Sequence, residues 1–286
     1  MPVEILLTIA NVALDLFTIT SMLAVGMSLT VKQIVDPLRN LRLVIVMLAA
    51  SFVLVPLWAI LLTLVIPMGD EQNTALILLG ACAGGPFIPL LVQMAKGRLP
   101  LGVGEMVLLL VVTIFYVPLF LPLMLPYVHI DAVAIARDLT LFMLLPLILG
   151  LLVKWRYAEL AANWQPHLSR TSVFSLLLLF VAGLPPALPK IISVIGTWLV
   201  PAAILLAVGG ALFGYLLSFK DDPGERKVLS LGTGQRNLAA ALLVAAHAFS
   251  GDTFIMTLVA CLVLTVFMHL IAAEWGRRTA GAPAGT

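Results

Sequence analysis

The sequence predicts an all-α polytopic membrane protein, on three observations. Hydrophobic residues make up 62% of its 286 positions and charged residues only 10%, where a soluble domain of this size carries about 25%. The apolar residues run in unbroken stretches of about 20, the length of a spanning helix, without the apolar–polar alternation of barrel strands. Lys and Arg concentrate in every second connection between those stretches. Too little polar surface remains to cover a water-facing fold. That excludes a soluble enzyme, a disordered chain and a nucleic-acid-binding module.

Nine apolar segments are predicted, over residues 5–29, 43–66, 74–95, 101–125, 139–153, 171–188, 192–219, 228–249 and 254–273. Lys32, Arg39 and Arg42 follow the first, while the connection after the second, at Asp70 and Glu71, has no basic residue. Lys96 and Arg98 follow the third, and Arg137 alone the fourth. Lys154, Arg156 and Arg170 follow the fifth, and Lys190 alone the sixth. Lys220, Arg226 and Lys227 follow the seventh, none follows the eighth, and Arg277 and Arg278 follow the ninth. This alternation predicts a multi-pass protein of the cytoplasmic (inner or plasma) membrane, with its N-terminus outside and its C-terminus cytoplasmic.

Pro118 and Pro122 in the fourth segment, and Pro185 and Pro186 in the sixth, are expected to kink or end their helices. Short connections leave one membrane domain over residues 1–286, with a cytoplasmic tail at 274–286. No cleavable signal peptide is expected, because the first apolar run is too long and lacks a basic start. Cys82 and Cys261 lie in apolar runs and read as free, buried thiols.

Two segments are interrupted. The third reads Leu79-Gly80-Ala81-Cys82-Ala83-Gly84-Gly85-Pro86-Phe87-Ile88-Pro89, and the eighth Leu231-Gly232-Thr233-Gly234-Gln235-Arg236-Asn237. Gly-Gly-Pro and Gly-Thr-Gly both weaken a continuous helix, and the freed backbone groups must be paired in protein or line a cavity. The broken segment is third of the first four and fourth of the last five. That fits a 4+5 inverted repeat, about 1–125 and 139–273, lacking its first helix. Paired interruptions at corresponding positions of two halves point to the binding site of a secondary transporter.

These residues resemble the bile acid–sodium symporter family. The resemblance runs from Gly26-Met27-Ser28-Leu29-Thr30, similar to a G-M-G-L-T helix end, to the last segment. It is strongest at 79–97, similar to L-V-G-x-C-P-G-G-T-A-S-N…Y-L-A-R-G, and at 234–246, similar to G-M-Q-N-S-G-L-A-A-A-L. It implies panel and core domains, broken helices crossing in the core, alternating access, and uptake of organic anions with two sodium ions. The crossing region would comprise Gly84, Gly85, Pro86, Pro89, Gly232, Thr233, Gly234, Gln235, Arg236 and Asn237. The departures fall on the sodium ligands. The family's Ser and Asn after the first Gly-Gly are Ile88 and Pro89, its shared carboxylate is Gly232, and its Gln is Arg236. A further Gln is Ser51, and two hydroxyl positions are Gly102 and Met106. Sodium, a hard cation, needs several oxygen ligands, so sodium dependence is expected to be weak or absent.

Arg236 lies near mid-membrane, where a charge marks a functional site with a partner. It reads as a fixed stand-in for a cation, as a ligand for a substrate carboxylate or sulfonate, or as half of a structural ion pair. Glu105, one turn into the fourth segment, is its expected partner or a proton carrier; the alternative is that it snorkels to the surface. Asp15 reads as a solvated carboxylate or part of an outer vestibule, and His247 and His269 as interfacial. Asp221-Asp222 reads as a solvated turn before Pro223-Gly224. No cluster has metal-ligand spacing, and no cofactor is expected; sodium enters only through the resemblance. The expected partners are a small organic anion and the lipid bilayer. The alternatives are an arsenite-exporter-like permease, disfavoured by Gly85 where such proteins carry a cysteine, and a non-transporting receptor or sensor on a transporter fold. An intramembrane enzyme lacks its motif.

Overall fold

The computed structural model describes residues 3–194 and 196–281, which are mostly helical and among which no strand occurs. In chain order the helices are α1 (Val3–Ser28), α2 (Val31–Leu38), α3 (Leu41–Ala49), α4 (Val55–Val65), α5 (Asp70–Ala81), α6 (Ile88–Met94) and α7 (Leu99–Met124). They continue with α8 (Ala132–Leu139), α9 (Leu145–Arg156), α10 (Ala158–Val194), α11 (Leu199–Leu217), α12 (Pro223–Gly234), α13 (Leu238–Ala248) and α14 (Gly251–Gly281). A π-helical turn, Ala50–Leu54, joins α3 to α4, and another, Thr140–Leu144, joins α8 to α9. Among the described residues, seven helical stretches are long and apolar enough to cross a membrane. The predicted third and eighth segments are the exceptions: each is a pair of short helices, α5 with α6 and α12 with α13.

Local chemistry sets the helix starts. Thr30 and Gln33 form a reciprocal capping box at α2, and Asn40, Asp131, Asp222 and Asn237 cap α3, α8, α12 and α13 through their side-chain oxygens. Each takes up N–H groups that the first helical turn leaves unpaired. Each π turn ends just before a proline at the second position of the next helix, Pro56 or Pro146. Proline brings no N–H, so a carbonyl one turn earlier loses its donor. Phe52 is such a residue, and its oxygen accepts the Tyr116 hydroxyl at 2.8 Å.

Two expectations are refined and a third, the solvated Asp221, is corrected. Pro118 and Pro122 do not end α7, nor do Pro185 and Pro186 end α10; both helices run past them. Apolar helices tolerate proline where neighbouring groups take up the freed carbonyls. The expected tail at 274–286 is helical as far as it is described, since α14 continues to Gly281. Asp221 is not solvated: its side chain is 6% exposed and pairs with Arg42 at 3.0 Å. Its neighbour Asp222 pairs with Arg98, which also holds Glu225. Burial pushes the Asp222 carboxyl up, but the N–H groups of Glu225 and Gly224 and the Arg98 guanidinium outweigh it and hold it below the usual range.

Packing sorts the helices into two groups. α1 lies against α9 and α10, while α5, α11, α12 and α14 pack around one another with α4 and α7 at their side. α13 reaches from the second group to α1 and α8. The α1–α9 approach depends on Gly26 and Gly150. A Cβ on Gly150 would sit 2.5 Å from the Leu23 oxygen and 3.0 Å from the Gly26 Cα. Such small-residue contacts carry much of helix association in lipid, where burial supplies no hydrophobic drive.

Gly150→Leu should therefore lower stability by about 1–3 kcal/mol, the usual cost of overpacking. Gly251→Ala, at a position with nothing within 4 Å of an added Cβ, should leave it unchanged. Thermal unfolding of the detergent-purified protein compares the two.

Candidate functional site at the two helix breaks

The first break runs from Cys82 to Phe87, between α5 and α6. Gly84 has φ +77°, a conformation other residues rarely adopt, and an added Cβ would collide with the backbone of Leu110. The Thr113 hydroxyl satisfies the break from α7, donating to the Ala83 carbonyl and accepting its N–H, both at 3.0 Å. Pro86 lies in the turn, and Ile88 and Pro89 open α6.

The second break is shorter and later than expected. Gly232, Thr233 and Gly234 are helical residues of α12, and only Gln235, Arg236 and Asn237 lie outside a helix. The glycines serve packing. An added Cβ on Gly232 would collide with the Glu105 carboxyl, and one on Gly234 would come within 2.7 Å of the Met268 Cε.

Asn237 ties the breaks together. Its N–H donates to the Cys82 carbonyl at 3.0 Å, its amide nitrogen to the Gly84 carbonyl at 3.3 Å, and its amide oxygen accepts the Ala240 N–H that starts α13. Gly85 supports the same contact, since a side chain there would press on the Arg236 carbonyl. Gln235 donates to the Arg236 carbonyl at 3.1 Å and to the Thr265 hydroxyl at 3.4 Å.

Arg236 lies at the centre, 1% exposed. Nε donates to the Leu79 carbonyl at 3.2 Å, Nη1 to that of Thr233 at 3.2 Å, and Nη2 to those of Gly80 at 2.5 Å and Ser51 at 3.2 Å. Each acceptor lacks a helical donor for its own reason. Leu79 and Gly80 occupy the last turn of α5, where carbonyls go unpaired. Thr233 would accept from Asn237, whose N–H is spent on Cys82. Ser51 loses both candidates: the Val55 N–H goes to Ala50 in the π turn, and Pro56 has none. A cation at the C-terminal end of α5 also suits the helix dipole.

The expected Arg236–Glu105 pair is corrected. Nε, Nη1 and Nη2 are all committed to carbonyls, and both Glu105 carboxyl oxygens are without a hydrogen-bond partner. Glu105 does not snorkel either; it is fully buried in α7 over Gly232. Ser51 Oγ, Thr233 Oγ1 and Gln235 Oε1 are likewise buried without partners. The region thus holds one guanidinium with every nitrogen engaged and several idle oxygens. Ile88 and Met106 are buried and apolar, and Gly102 is filled by Val92, which would lie 2.9 Å from an added Cβ. Among the described residues, no group of three or more His, Cys, Asp or Glu could hold a metal ion.

Sequence reasoning missed one cluster. His247, expected at an interface, is bonded through Nδ1 to Asp138 Oδ2 at 3.0 Å and faces Asp15 Oδ1 with Nε2 at 3.6 Å. Arg137 Nε holds the other Asp138 oxygen at 3.0 Å. The three residues come from α13, α8 and α1, so no spacing in the sequence announces them. His269 bonds the Thr265 carbonyl at 2.7 Å through Nδ1. Cys82 and Cys261 are free and buried, as expected.

A family model described as the sodium bile acid symporter family matches residues 15–201. The probable sodium/metabolite cotransporter BASS1, chloroplastic, of Arabidopsis thaliana is 25% identical over 259 residues, which cover 90% of this chain and 63% of that protein. The probable sodium/metabolite cotransporter BASS2, chloroplastic, of Oryza sativa subsp. japonica is 25% identical over 279 residues, 94% of this chain and 65% of that protein. The chain therefore spans less than two thirds of the length of these relatives.

Arg236→Met should destabilise the fold by at least about 3 kcal/mol, because each buried acceptor left unpaired costs about 1–3 kcal/mol. Arg236→Lys, with one ammonium for four carbonyls, should recover only part of this in the same thermal unfolding assay. Gly232→Ala should also destabilise, and Glu105→Ala in the same chain should relieve it. Independent, additive losses would mean that the two residues do not share one space.

Proposed function

The chain belongs to the sodium bile acid symporter family, and from that premise we propose that it is a secondary transporter moving a small organic anion by alternating access without obligatory sodium. The observation that carries this reading is Arg236, a permanently charged group with four carbonyl acceptors between the two breaks. Arg stays protonated in proteins, so it supplies at all times the positive charge that a bound ion would supply only when present. The names of the relatives, sodium/metabolite cotransporters, support transport of a metabolite.

In this reading the seven continuous spans and two broken helices make nine crossings. The Lys and Arg alternation supports an outside N-terminus in the cytoplasmic membrane. The group of α1, α9 and α10 serves as the panel, and the group around the breaks as the core. Idle buried oxygens support coupling to a proton. A bare carboxylate at Glu105, with no N–H beside it, would cost several kcal/mol. The site therefore takes a positive charge, and a proton on Glu105 is the smallest that fits a carboxyl fully buried over Gly232.

Thermal unfolding in sodium chloride against choline chloride tests sodium independence. A sodium site filled to a hundred times its Kd adds about 2.7 kcal/mol, and the wild type should show no such gain. A sodium-specific rise in its midpoint would overturn the reading. Reconstituted into liposomes, the protein should accumulate labelled monocarboxylates or a labelled bile acid under an imposed pH gradient. Glu105→Gln should abolish that accumulation while leaving exchange of labelled for unlabelled solute intact. Accumulation that survives the substitution would remove Glu105 from the coupling.

A further inference from the structure

We propose that Asp15, His247 and Asp138 form a proton-binding site that bridges the two groups of helices, separate from the helix breaks and independent of the transport reading. The donors and acceptors of the cluster do not match in number. A neutral imidazole carries one N–H and one lone pair. Here both ring nitrogens face carboxylate oxygens, Nδ1 toward Asp138 at 3.0 Å and Nε2 toward Asp15 at 3.6 Å. Whichever tautomer the ring adopts, one contact sets an acceptor against an acceptor. A single added proton on Nε2 cures it, because the ring then turns an N–H toward each carboxylate. The proton comes from solvent, the cluster gains one positive charge, and no other bond changes.

The surroundings point to Asp15 as the vacant side. Asp138 is a committed carboxylate, with Arg137 Nε on Oδ1 and His247 on Oδ2. Asp15 Oδ1 is buried and accepts no hydrogen bond. The ring is otherwise steadied by Phe142, whose centroid lies 5.7 Å away, edge-on.

Other charged and titratable groups lie nearby. His129 and Asp131 share with Asp138 and His247 a cavity of about 280 Å³, and Asp131 is spent on the N–H groups of Val133 and Ala134. Asp70 and Glu71, at the start of α5, line the space beside Ala248 and Phe249. Asp252, at the start of α14, lines another beside Ala246.

The location gives the proton a mechanical role. Asp15 sits on α1 and Asp138 on α8, while His247 ends α13, the helix that leaves the second break. The protonated bridge ties these elements together in the conformation described, and loss of the proton releases Asp15. Acid on the side that reaches this cluster thus favours the bridged arrangement.

Asp15→Asn tests this, because its amide can donate an N–H to Nε2 without any proton from solvent. As pH falls from about 8 to about 6, across the range where histidine charges, the wild-type midpoint of thermal unfolding should gain about 3 °C on that of Asp15→Asn. His247→Gln should lose the same increment, and His269→Gln should keep it. Nitrogen NMR of protein labelled in histidine reads the proton directly. In acid the His247 signal, identified by its absence in His247→Gln, should show both nitrogens protonated in the wild type and only Nδ1 protonated in Asp15→Asn. Identical pH profiles for wild type, Asp15→Asn and His247→Gln would overturn the proposal. A His247 ring whose spectrum ignores Asp15→Asn would do so as well.

Discussion

Backbone carbonyls freed inside an apolar medium must find donors, and four of them find one guanidinium. Two lie in the last turn of α5, one at the end of α12, and one at a π turn that Pro56 leaves short of an N–H. No water would meet these groups in hydrocarbon, so the breaks can exist only because something at their centre donates several times. The fork of Arg236 does this with fixed geometry, where a lysine would offer a point charge. Asn237 adds the second fastening, holding Cys82 and Gly84 of one break while capping the helix that leaves the other. The rest of the crossing is arranged around these two neighbours in the chain.

Much of this was legible in the sequence where the physics is local or compositional. Continuous apolar runs predicted the seven long helices, and Gly84-Gly85-Pro86 located the first break. The second was placed a few residues early, because glycine was read for its backbone freedom. Gly232 and Gly234 are instead helical residues whose missing side chains make room for Glu105 and Met268. The prolines of α7 and α10 do not end their helices for a related reason: in long apolar helices a lost donor is made good by neighbours. Arg236 was singled out from its position alone. Its partners could not be, since Ser51, Leu79 and Gly80 lie more than 150 residues away in the chain. The Asp15–His247–Asp138 cluster was invisible for the same reason, as it joins three helices that only the packing brings together.

Glu105 and Gly232 belong to one volume. The carboxyl from α7 fills the place that a side chain on α12 would take, and neither residue can be understood from its own helix. The resemblance implies a carboxylate at Gly232; in this chain the carboxyl that faces this point of α12 comes from Glu105 on α7. The crossing thus has an acidic side chain over this point of α12 that comes from a different helix.

A built-in charge also changes what the membrane voltage can act on. An ion that arrives with the solute and departs with it loads the carrier electrically in one direction only. Arg236 never departs, so whatever motion carries the crossing through the field carries its charge on the outward and the return stroke alike. At about 2.3 kcal/mol per elementary charge per 100 mV, even a fraction of the field would be felt on both strokes. In the proposed proton-coupled cycle, protonation of Glu105 would set the electrical work of the unloaded return, and the resting potential would act as a brake or a spring on the empty protein itself.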